Sequence, residues 1–214
     1  MLAHFGAMTR RERLARACLY LIGDSVALER VLDDALAGGV DVVQMRDKER
    51  SRSKLRADAL ALGARCREAG TLFIVNDDPL FATEVGADGV HLGQDDVSVR
   101  IARAIVGQER LVGLSTHSEA QIGRARDVDY IGVGPVWATP TKPGYAPVGL
   151  DLVHYAAAHA RVPFFAIGGI NPANVASVFA AGARGIAVVR AIGEAAEPLT
   201  AARALREAAG VVNA

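Results

Sequence analysis

The chain of 214 residues carries 24 lysines and arginines against 24 aspartates and glutamates, so its formal net charge is zero. This balance argues against a general nucleic-acid or membrane surface, and any phosphate binding must depend on local charge. Hydrophobic residues make up 51% of the chain, enough for a large core, and the length suits a single α/β barrel. Cys18 and Cys66 lack metal-ligand spacing, so we interpret them as reduced structural thiols of a cytoplasmic protein.

The arginine-rich segment 1–16 is predicted to be a mobile N-terminal arm ahead of one catalytic domain at 17–214. The apolar run Ala17–Ile22 is too short for a signal peptide or for a bilayer span. Similar runs recur along the domain, and most are continuous, as expected for parallel strands buried on both faces. They predict eight strands, at Ala17–Leu21, Val40–Arg46, Leu72–Asn76, Gly89–Leu92, Leu111–Ser115, Tyr130–Pro135, Phe164–Gly168 and Gly185–Val189.

Helical patterns lie between these strands. After the third strand, Asp78 is predicted to cap a short helix that begins at Pro79 and ends at Gly86. Longer helices are predicted at Ser53–Ala69, Val97–Val106, Ser118–Arg126, Asp151–His159, Pro172–Ala181 and Pro198–Ala209.

A weak internal repeat also favours a particular architecture. The pattern at 37–43 returns at 85–91 and again at 181–187, each time as a helix end, a glycine turn and the next strand. Such repetition indicates repeated βα units, and eight of them with right-handed crossovers close most simply into a (β/α)8 TIM barrel. An open doubly wound sheet is the alternative, but the glycine-rich loop expected after its first strand is only weakly matched after Leu21.

Barrel enzymes place their chemistry at the C-terminal ends of the strands, and acidic residues follow the third and fourth strands here. Asp77 comes after the third strand, and Asp95 and Asp96 come after the fourth. Mg²⁺ binds oxygen ligands and often takes only one or two carboxylates, with water and substrate phosphate completing its shell. We therefore predict Asp77 and Asp96 as magnesium ligands, whereas Asp78 and Asp95 are expected only to cap helices.

Polar and cationic side chains follow the second, fifth and sixth strands. Arginine, lysine and amide groups suit phosphate oxygens, and a long loop stiffened by prolines suits a lid over a ligand. Ser115 is predicted either to donate a hydrogen bond to a ligand or to cap a helix, and His91 is expected to be packed and hydrogen-bonded. The remaining candidates are Gln44, Met45, Arg46, Asp47, Lys48, Asn76, Thr139, Pro140, Thr141 and Lys142.

The seventh and eighth strands end in a glycine pair, including Gly169, and in Val189–Arg190. Glycine lets an anion approach the backbone N–H groups, and Asn171–Pro172 is expected to start a helix whose positive end faces the same way. Loops 7 and 8 are also the usual phosphate site of this barrel. The rim thus predicts two phosphorylated substrates, one with a diphosphate leaving group, and no covalent intermediate is required.

These motifs, from about residue 17 to 193, resemble the thiamine phosphate synthase family. The resemblance rests on Gln44–Lys48, Val75–Asp77, Ala87–Asp96, Gly134–Lys142 and Ala166–Ile170. It implies condensation of 4-amino-2-methyl-5-hydroxymethylpyrimidine diphosphate with a thiazole phosphate, with release of diphosphate and formation of thiamine phosphate. It also implies one Mg²⁺ per subunit and a homodimer.

The resemblance assigns roles to residues as well. Asp77 and Asp96 would bind Mg²⁺, and Arg46, Ser115 and Lys142 would be catalytic. The pyrimidine diphosphate would be bound by Gln44, Arg46, Lys48, Asn76, Ser115 and Lys142. The thiazole phosphate site would be formed by Thr139, Thr141, Gly169, Val189 and Arg190. Because the family commonly has a serine at the position of Arg190, a backbone N–H could serve there instead of the side chain.

Two alternative functions fit the same barrel. A thiazole tautomerase would rearrange the thiazole phosphate without a diphosphate or magnesium site, so the acidic pair and Lys142 argue against it. A non-catalytic sensor of phosphorylated ligands could retain every binding group. Turnover with release of diphosphate would distinguish a synthase from such a sensor.

Overall fold

The computed structural model describes residues 8–139 and 146–212, in which eight parallel strands form a closed barrel. Each strand pairs with the next in sequence, and β8 pairs with β1. This architecture confirms the predicted TIM barrel. The strands are β1 Leu19–Gly23, β2 Val42–Met45, β3 Leu72–Asn76, β4 Gly89–Leu92, β5 Leu111–Thr116, β6 Tyr130–Val133, β7 Phe164–Ile167 and β8 Gly185–Val188.

Helices alternate with these strands around the outside of the barrel. In the described ranges they are α1 Arg10–Arg16, α2 Ser25–Ala37, α3 Arg52–Glu68, α4 Pro79–Glu84, α5 Val99–Val106, α6 Glu119–Arg124, α7 Gly149–His159, α8 Val175–Ala180, α9 Arg190–Gly193 and α10 Pro198–Val212. In these ranges no helix combines the length and the apolar character needed to cross a membrane.

Two predicted helix starts are confirmed or corrected by the capping contacts. The Asp78 carboxylate accepts the Phe81 N–H at the start of α4, as predicted. Asp95 does not cap α5, because Ser98 holds that position and its side chain accepts the Ile101 N–H. The reason lies in the preceding loop, where the Asp96 carboxylate accepts the Gly93 N–H at 2.6 Å and delays the helix.

The described part of the N-terminal segment folds against the barrel. Residues 10–16 form helix α1, which begins with a capping box between Thr9 and Glu12. Leu14 is only 2% exposed and packs into the interior of the barrel from below. The arginines of this segment contact the barrel: Arg10 reaches Asp88 at 2.8 Å, and Arg11 reaches Asp129 at 2.7 Å. The mobility of the segment stays a prediction.

The hydrophobic core has two layers separated by the strands. The outer layer fills the space between strands and helices and includes Val43, Met45 and Phe73. The inner layer fills the lower half of the barrel and contains Leu14, Tyr20, Ile22, Val42, Leu72, Ile74, Leu111, Tyr130, Phe165 and Ala187. Both faces of most strands are therefore buried, which explains why the apolar runs in the sequence do not alternate.

Three aspartates join neighbouring strands at their first residues, at the N-terminal end of the barrel. The Asp88 N–H donates to the Phe73 carbonyl at 2.8 Å, and its carboxylate accepts the Phe73 N–H at 3.0 Å. Asp129 makes the same pair of bonds with Val112, each at 2.8 Å, and Asp41 makes them with Leu19. We call Asp41, Asp88 and Asp129 the aspartate brackets.

Two of the brackets lie within copies of the repeat in the sequence. Asp41 is the fifth residue of 37–43 and Asp88 is the fourth residue of 85–91, and each lies immediately before a strand, β2 or β4. Each bracket carboxylate is also paired with arginine: Asp41 with Arg206, Asp88 with Arg10, and Asp129 with both Arg11 and Arg103.

Replacing Asp129 by alanine should lower the free energy of unfolding by about 3 kcal/mol, because its buried carboxylate joins a strand N–H to two arginines. Urea denaturation followed by circular dichroism measures this loss. Asp34→Ala, at an exposed position of α2, is the matched control and should change stability by about 0.5 kcal/mol or less. Equal values for the two variants would show that the bracket does not stabilise the barrel.

Candidate active site

A cavity of about 590 Å³ opens at the C-terminal ends of the strands. Most of the predicted site residues in the described ranges line it: Gln44, Arg46, Lys48, Asn76, Asp77, Asp96, Ser115, Thr139, Gly169, Val189 and Arg190. The predicted residues Pro140, Thr141 and Lys142 lie outside the described residues. The structure therefore brings loops 2, 3, 4, 7 and 8 to one rim, as the barrel geometry requires.

Two predicted substrate-binding residues lie elsewhere. Met45 packs in the outer core layer, because successive side chains of a strand point to opposite faces and Gln44 takes the inner one. Asp47 shapes loop 2: its carboxylate accepts hydrogen bonds from the backbone N–H groups of Arg50 and Glu49 and from Ser25. Burial would raise the pKa of Asp47, but these hydrogen bonds outweigh it and lower that pKa.

Asp77 and Asp96 face each other across the ends of β3 and β4. Burial raises the pKa of Asp77, and the adjacent Asp96 carboxylate raises it further. Lys48 opposes both effects, with its Nζ 3.3 Å from an Asp77 carboxylate oxygen. Two carboxylates that repel each other beside a single ammonium group suit a divalent cation, which binds both oxygens and leaves room for water or phosphate.

The backbone at Asp77 helps to place this pair. Asp77 has a positive φ of 64°, which residues other than glycine adopt at some cost. In that conformation its N–H donates to the His91 carbonyl at 2.8 Å and continues the pairing of β3 with β4. The contact fixes the turn from which the Asp77 side chain enters the cavity. In the part of the chain that the structure describes, no group of three or more histidine, cysteine or acidic side chains could hold a metal.

Below the rim, a row of polar side chains crosses the barrel. The Gln44 Nε2 donates to the Tyr20 hydroxyl at 2.6 Å, and the Tyr20 and Tyr130 hydroxyls are 2.9 Å apart. The His91 Nδ1 lies 3.1 Å from the Tyr130 hydroxyl, and its Nε2 lies 3.0 Å from the Ser115 Oγ. His91 is thus hydrogen-bonded as predicted.

The cap of helix α6 excludes one of the two roles predicted for Ser115. Ser118, not Ser115, caps α6, since the Ser118 side chain accepts the Gln121 N–H. Ser115 therefore faces the cavity as a ligand-binding candidate. Sequence reasoning missed Tyr20 and Tyr130. Their inward orientation follows from the period of two along a strand, which places Tyr20 on the same face as Ile22 and Tyr130 on the same face as Gly132.

Loop 7 packs tightly against the start of loop 6. The Val136 N–H donates to the Ile167 carbonyl at 2.8 Å, and the Trp137 N–H donates to the Gly168 carbonyl at 3.1 Å. Gly168 and Gly169 both have positive φ, and a Cβ on Gly168 would lie 2.5 Å from Pro135. The glycines are thus required by loop packing, in addition to the backbone access for an anion that the sequence suggested.

The helix expected to start at Asn171–Pro172 begins later. Helix α8 starts at Val175, and the Asn171 side chain instead accepts the Ala173 N–H within a turn. The predicted contribution of a helix N-terminus at Asn171 is therefore wrong. His117, Gln94 and Glu194 also line the cavity and were not singled out from the sequence. Gln94 lies within the motif Ala87–Asp96 but was assigned no role, whereas His117 and Glu194 lie outside the motifs of the family.

Gly168→Ala should destabilise the protein by about 2 kcal/mol, because alanine disfavours its φ of 104° and the new methyl group would overlap Pro135. Thermal and urea unfolding measure the change. Gly123→Ala in α6 is the matched control, since open space surrounds that position and alanine should stabilise the helix by up to about 1 kcal/mol. A neutral Gly168→Ala variant would contradict the packing of loops 6 and 7.

The closed barrel and its charged rim define a (β/α)8-barrel enzyme class that acts on small phosphorylated molecules. The family model described as thiamine monophosphate synthase matches residues 19–192. The chain belongs to this family.

Individual relatives agree with this assignment. A thiamine-phosphate synthase from Thermobifida fusca is 49% identical over 206 residues, which cover 92% of this chain and 94% of the relative. One from Thermosynechococcus vestitus is 47% identical over 199 residues, which cover 92% of this chain and 57% of the relative. This chain therefore spans little more than half of that longer protein.

A solved structure is similar throughout. A thiamine phosphate pyrophosphorylase from Pyrococcus furiosus superposes with a TM-score of 0.87 at 31% sequence identity, over 95% of this chain and 99% of the other. The two proteins therefore share the same barrel fold.

Proposed function

We propose that this protein is a thiamine phosphate synthase whose catalytic domain spans residues 17–214. It condenses 4-amino-2-methyl-5-hydroxymethylpyrimidine diphosphate with a thiazole phosphate, with or without a carboxyl group, and releases diphosphate. The observation that carries the proposal is the meeting of the Asp77–Asp96 pair with Lys48 at the rim of a barrel of this family. The proposed enzyme is cytoplasmic and works as a homodimer.

The acidic pair is the proposed magnesium site. Asp77 and Asp96 would hold one Mg²⁺ per subunit, and their mutual repulsion supports this assignment. A bound Mg²⁺ would neutralise negative charge on a diphosphate leaving group.

The side chains of the rim would bind and orient the diphosphate substrate. Arg46 offers a planar fork of N–H donors, and Lys48 adds a mobile positive charge beside the acidic pair. Asn76 and Ser115 offer neutral donors deeper in the cavity. Lys142 is proposed as a further cation from loop 6. Charge that develops on the departing diphosphate is stabilised most by groups that are already in place.

On the opposite side of the rim, loops 7 and 8 would bind the thiazole phosphate. Gly169 and Val189 present backbone to the cavity, and Thr139 offers a hydroxyl from the start of loop 6. The two substrates would therefore meet above the polar row on the floor, with the thiazole nitrogen directed at the pyrimidine methylene. Holding the two in this order supplies much of the rate enhancement of a two-substrate reaction.

The direct test is turnover by the purified protein. With both substrates and Mg²⁺, we expect release of diphosphate and formation of thiamine phosphate in equal amounts, measured by a coupled diphosphate assay and by chromatography. Binding of both substrates without release of diphosphate would favour the sensor. Rearrangement of the thiazole phosphate alone would favour the tautomerase.

Asp96→Asn should reduce turnover by about a hundredfold or more and raise the Mg²⁺ concentration needed for half-maximal rate, because asparagine removes a charged ligand. The asparagine oxygen can still accept the Gly93 N–H, so the loop should be retained. Asp95→Asn, at the exposed neighbour, is the control and should keep the magnesium dependence unchanged. An Asp96→Asn enzyme with unaltered magnesium dependence would remove Asp96 from the metal site.

A further inference from the structure

The polar row on the cavity floor is a continuous hydrogen-bonded chain with Gln44 at one end and Ser115 at the other. We call its members, Gln44, Tyr20, Tyr130, His91 and Ser115, the floor network. Its four links measure between 2.6 and 3.1 Å, and they join strands β2, β1, β6, β4 and β5. Two proposed substrate-binding residues on separate strands are thus connected through three side chains that have no role in the reaction proposed above.

Neighbouring residues shape the network. His91, Gly113 and Tyr130 are paired in register on β4, β5 and β6. A Cβ on Gly113 would lie 2.2 Å from the Tyr130 ring and 2.5 Å from the His91 Nδ1, so only glycine allows these two rings to meet. Phe165 packs edge-on against both tyrosine rings, with centroids 5.2 and 5.8 Å away. The rings therefore have little freedom to turn their polar atoms elsewhere.

The distances allow two proton arrangements, because each hydroxyl group carries one proton and can donate it to either neighbour. Burial raises the pKa of both Tyr20 and Tyr130, so both phenols stay protonated. In the arrangement that directs the Ser115 O–H into the cavity, the Gln44 amide donates to Tyr20 and Tyr20 donates to Tyr130. Tyr130 in turn donates to the His91 Nδ1.

The far end of the chain follows from this direction. A His91 Nδ1 that accepts a proton donor leaves the ring proton on Nε2, and this Nε2–H donates to the Ser115 Oγ. Since Ser115 then receives a hydrogen bond, its own O–H can be directed into the cavity.

We propose that Tyr20, Tyr130 and His91 are positioning residues that hold the Ser115 hydroxyl as a hydrogen-bond donor toward the diphosphate-bearing substrate. The inference rests on the proposed function, because it gives Ser115 a substrate to bind. The three residues need not touch the diphosphate; they fix the tautomer of His91 and, through it, the direction of the Ser115 O–H. A hydroxyl that points at the leaving group before the reaction starts does not have to reorient during it.

Tyr130→Phe removes one hydroxyl and keeps the ring. We expect kcat with the pyrimidine diphosphate to fall by about fivefold to tenfold, as expected for loss of one oriented hydrogen bond, while KM for the thiazole phosphate stays unchanged. Tyr20→Phe, one link further from Ser115, should act in the same direction. Tyr155→Phe, on helix α7 outside the barrel, is the matched control and should leave both constants unchanged.

A double-mutant cycle separates positioning from general packing. In a Ser115→Ala background the Tyr130→Phe substitution should cost less than twofold, because the hydroxyl that it orients is gone. Full additivity of the two substitutions would overturn the proposal. So would an effect of Tyr130→Phe confined to thermal stability, with both kinetic constants equal to those of Tyr155→Phe.

The tautomer can be read without turnover. In ¹⁵N–¹H spectra of the labelled protein at about pH 8, above the ordinary pKa of histidine, His91 should carry its proton on Nε2. His91→Gln identifies its resonances, and Tyr130→Phe should move them toward a mixture of tautomers. A predominant Nδ1–H form in the wild-type protein would overturn the proposal. Because this measurement needs no substrate, absence of turnover in the wild type would refute the proposed function and leave the tautomer result standing.

Discussion

The barrel depends on the contacts between the carboxylates of the aspartate brackets and backbone N–H groups at the N-terminal ends of neighbouring strands. Each aspartate bracket donates its backbone N–H to one residue of the preceding strand and accepts the N–H of that same residue with its carboxylate. The two bonds therefore hold the strands together and also fix their register. Register decides which side chains face inward, because a slip by one residue would exchange the two faces of a strand. Asp129 holds β6 against β5 in the register that sets Gly132 opposite Ser115, three residues beyond Asp129 and Val112 along the two strands. The aspartate brackets at the N-terminal end of the barrel thereby determine which side chains face the cavity at the rim.

The two ends of the barrel treat acidic side chains in opposite ways. At the N-terminal end of the barrel, each bracket carboxylate is paired with arginine and with a strand N–H group, and these contacts stabilise the fold. At the rim Asp77 and Asp96 are set against each other with one lysine nearby, and the pKa of Asp77 is raised. Such a pair contributes little to the stability of the fold by itself, and in the proposed function it is the site for a cation and a diphosphate. Stability and ligand binding are thus assigned to different ends of the same strands.

The sequence alone predicts the barrel and most of the rim, because continuous apolar runs and residues at strand ends are local signals. It does not predict the docking of α1, since Arg10 and Arg11 find partners 78 and 118 residues away. Nor does it predict the starts of α5 and α8, which depend on side chains of the preceding loops. The floor network joins strands β1, β2, β4, β5 and β6, so it emerges only when their inward faces are compared. The role of Lys142, which lies outside the described residues, stays a prediction from the sequence motif Gly134–Lys142.

Helix α1 also has a consequence for the order in which the molecule is assembled. Its residues are synthesised before the barrel, yet its ion-pair partners Asp88 and Asp129 lie ahead of β4 and β6. Such a short helix has little stability of its own in water. Its second ion pair therefore requires a residue that follows five of the eight strands, and contacts this distant in sequence are costly to form early. The docked position of α1 thus depends on segments from both halves of the barrel.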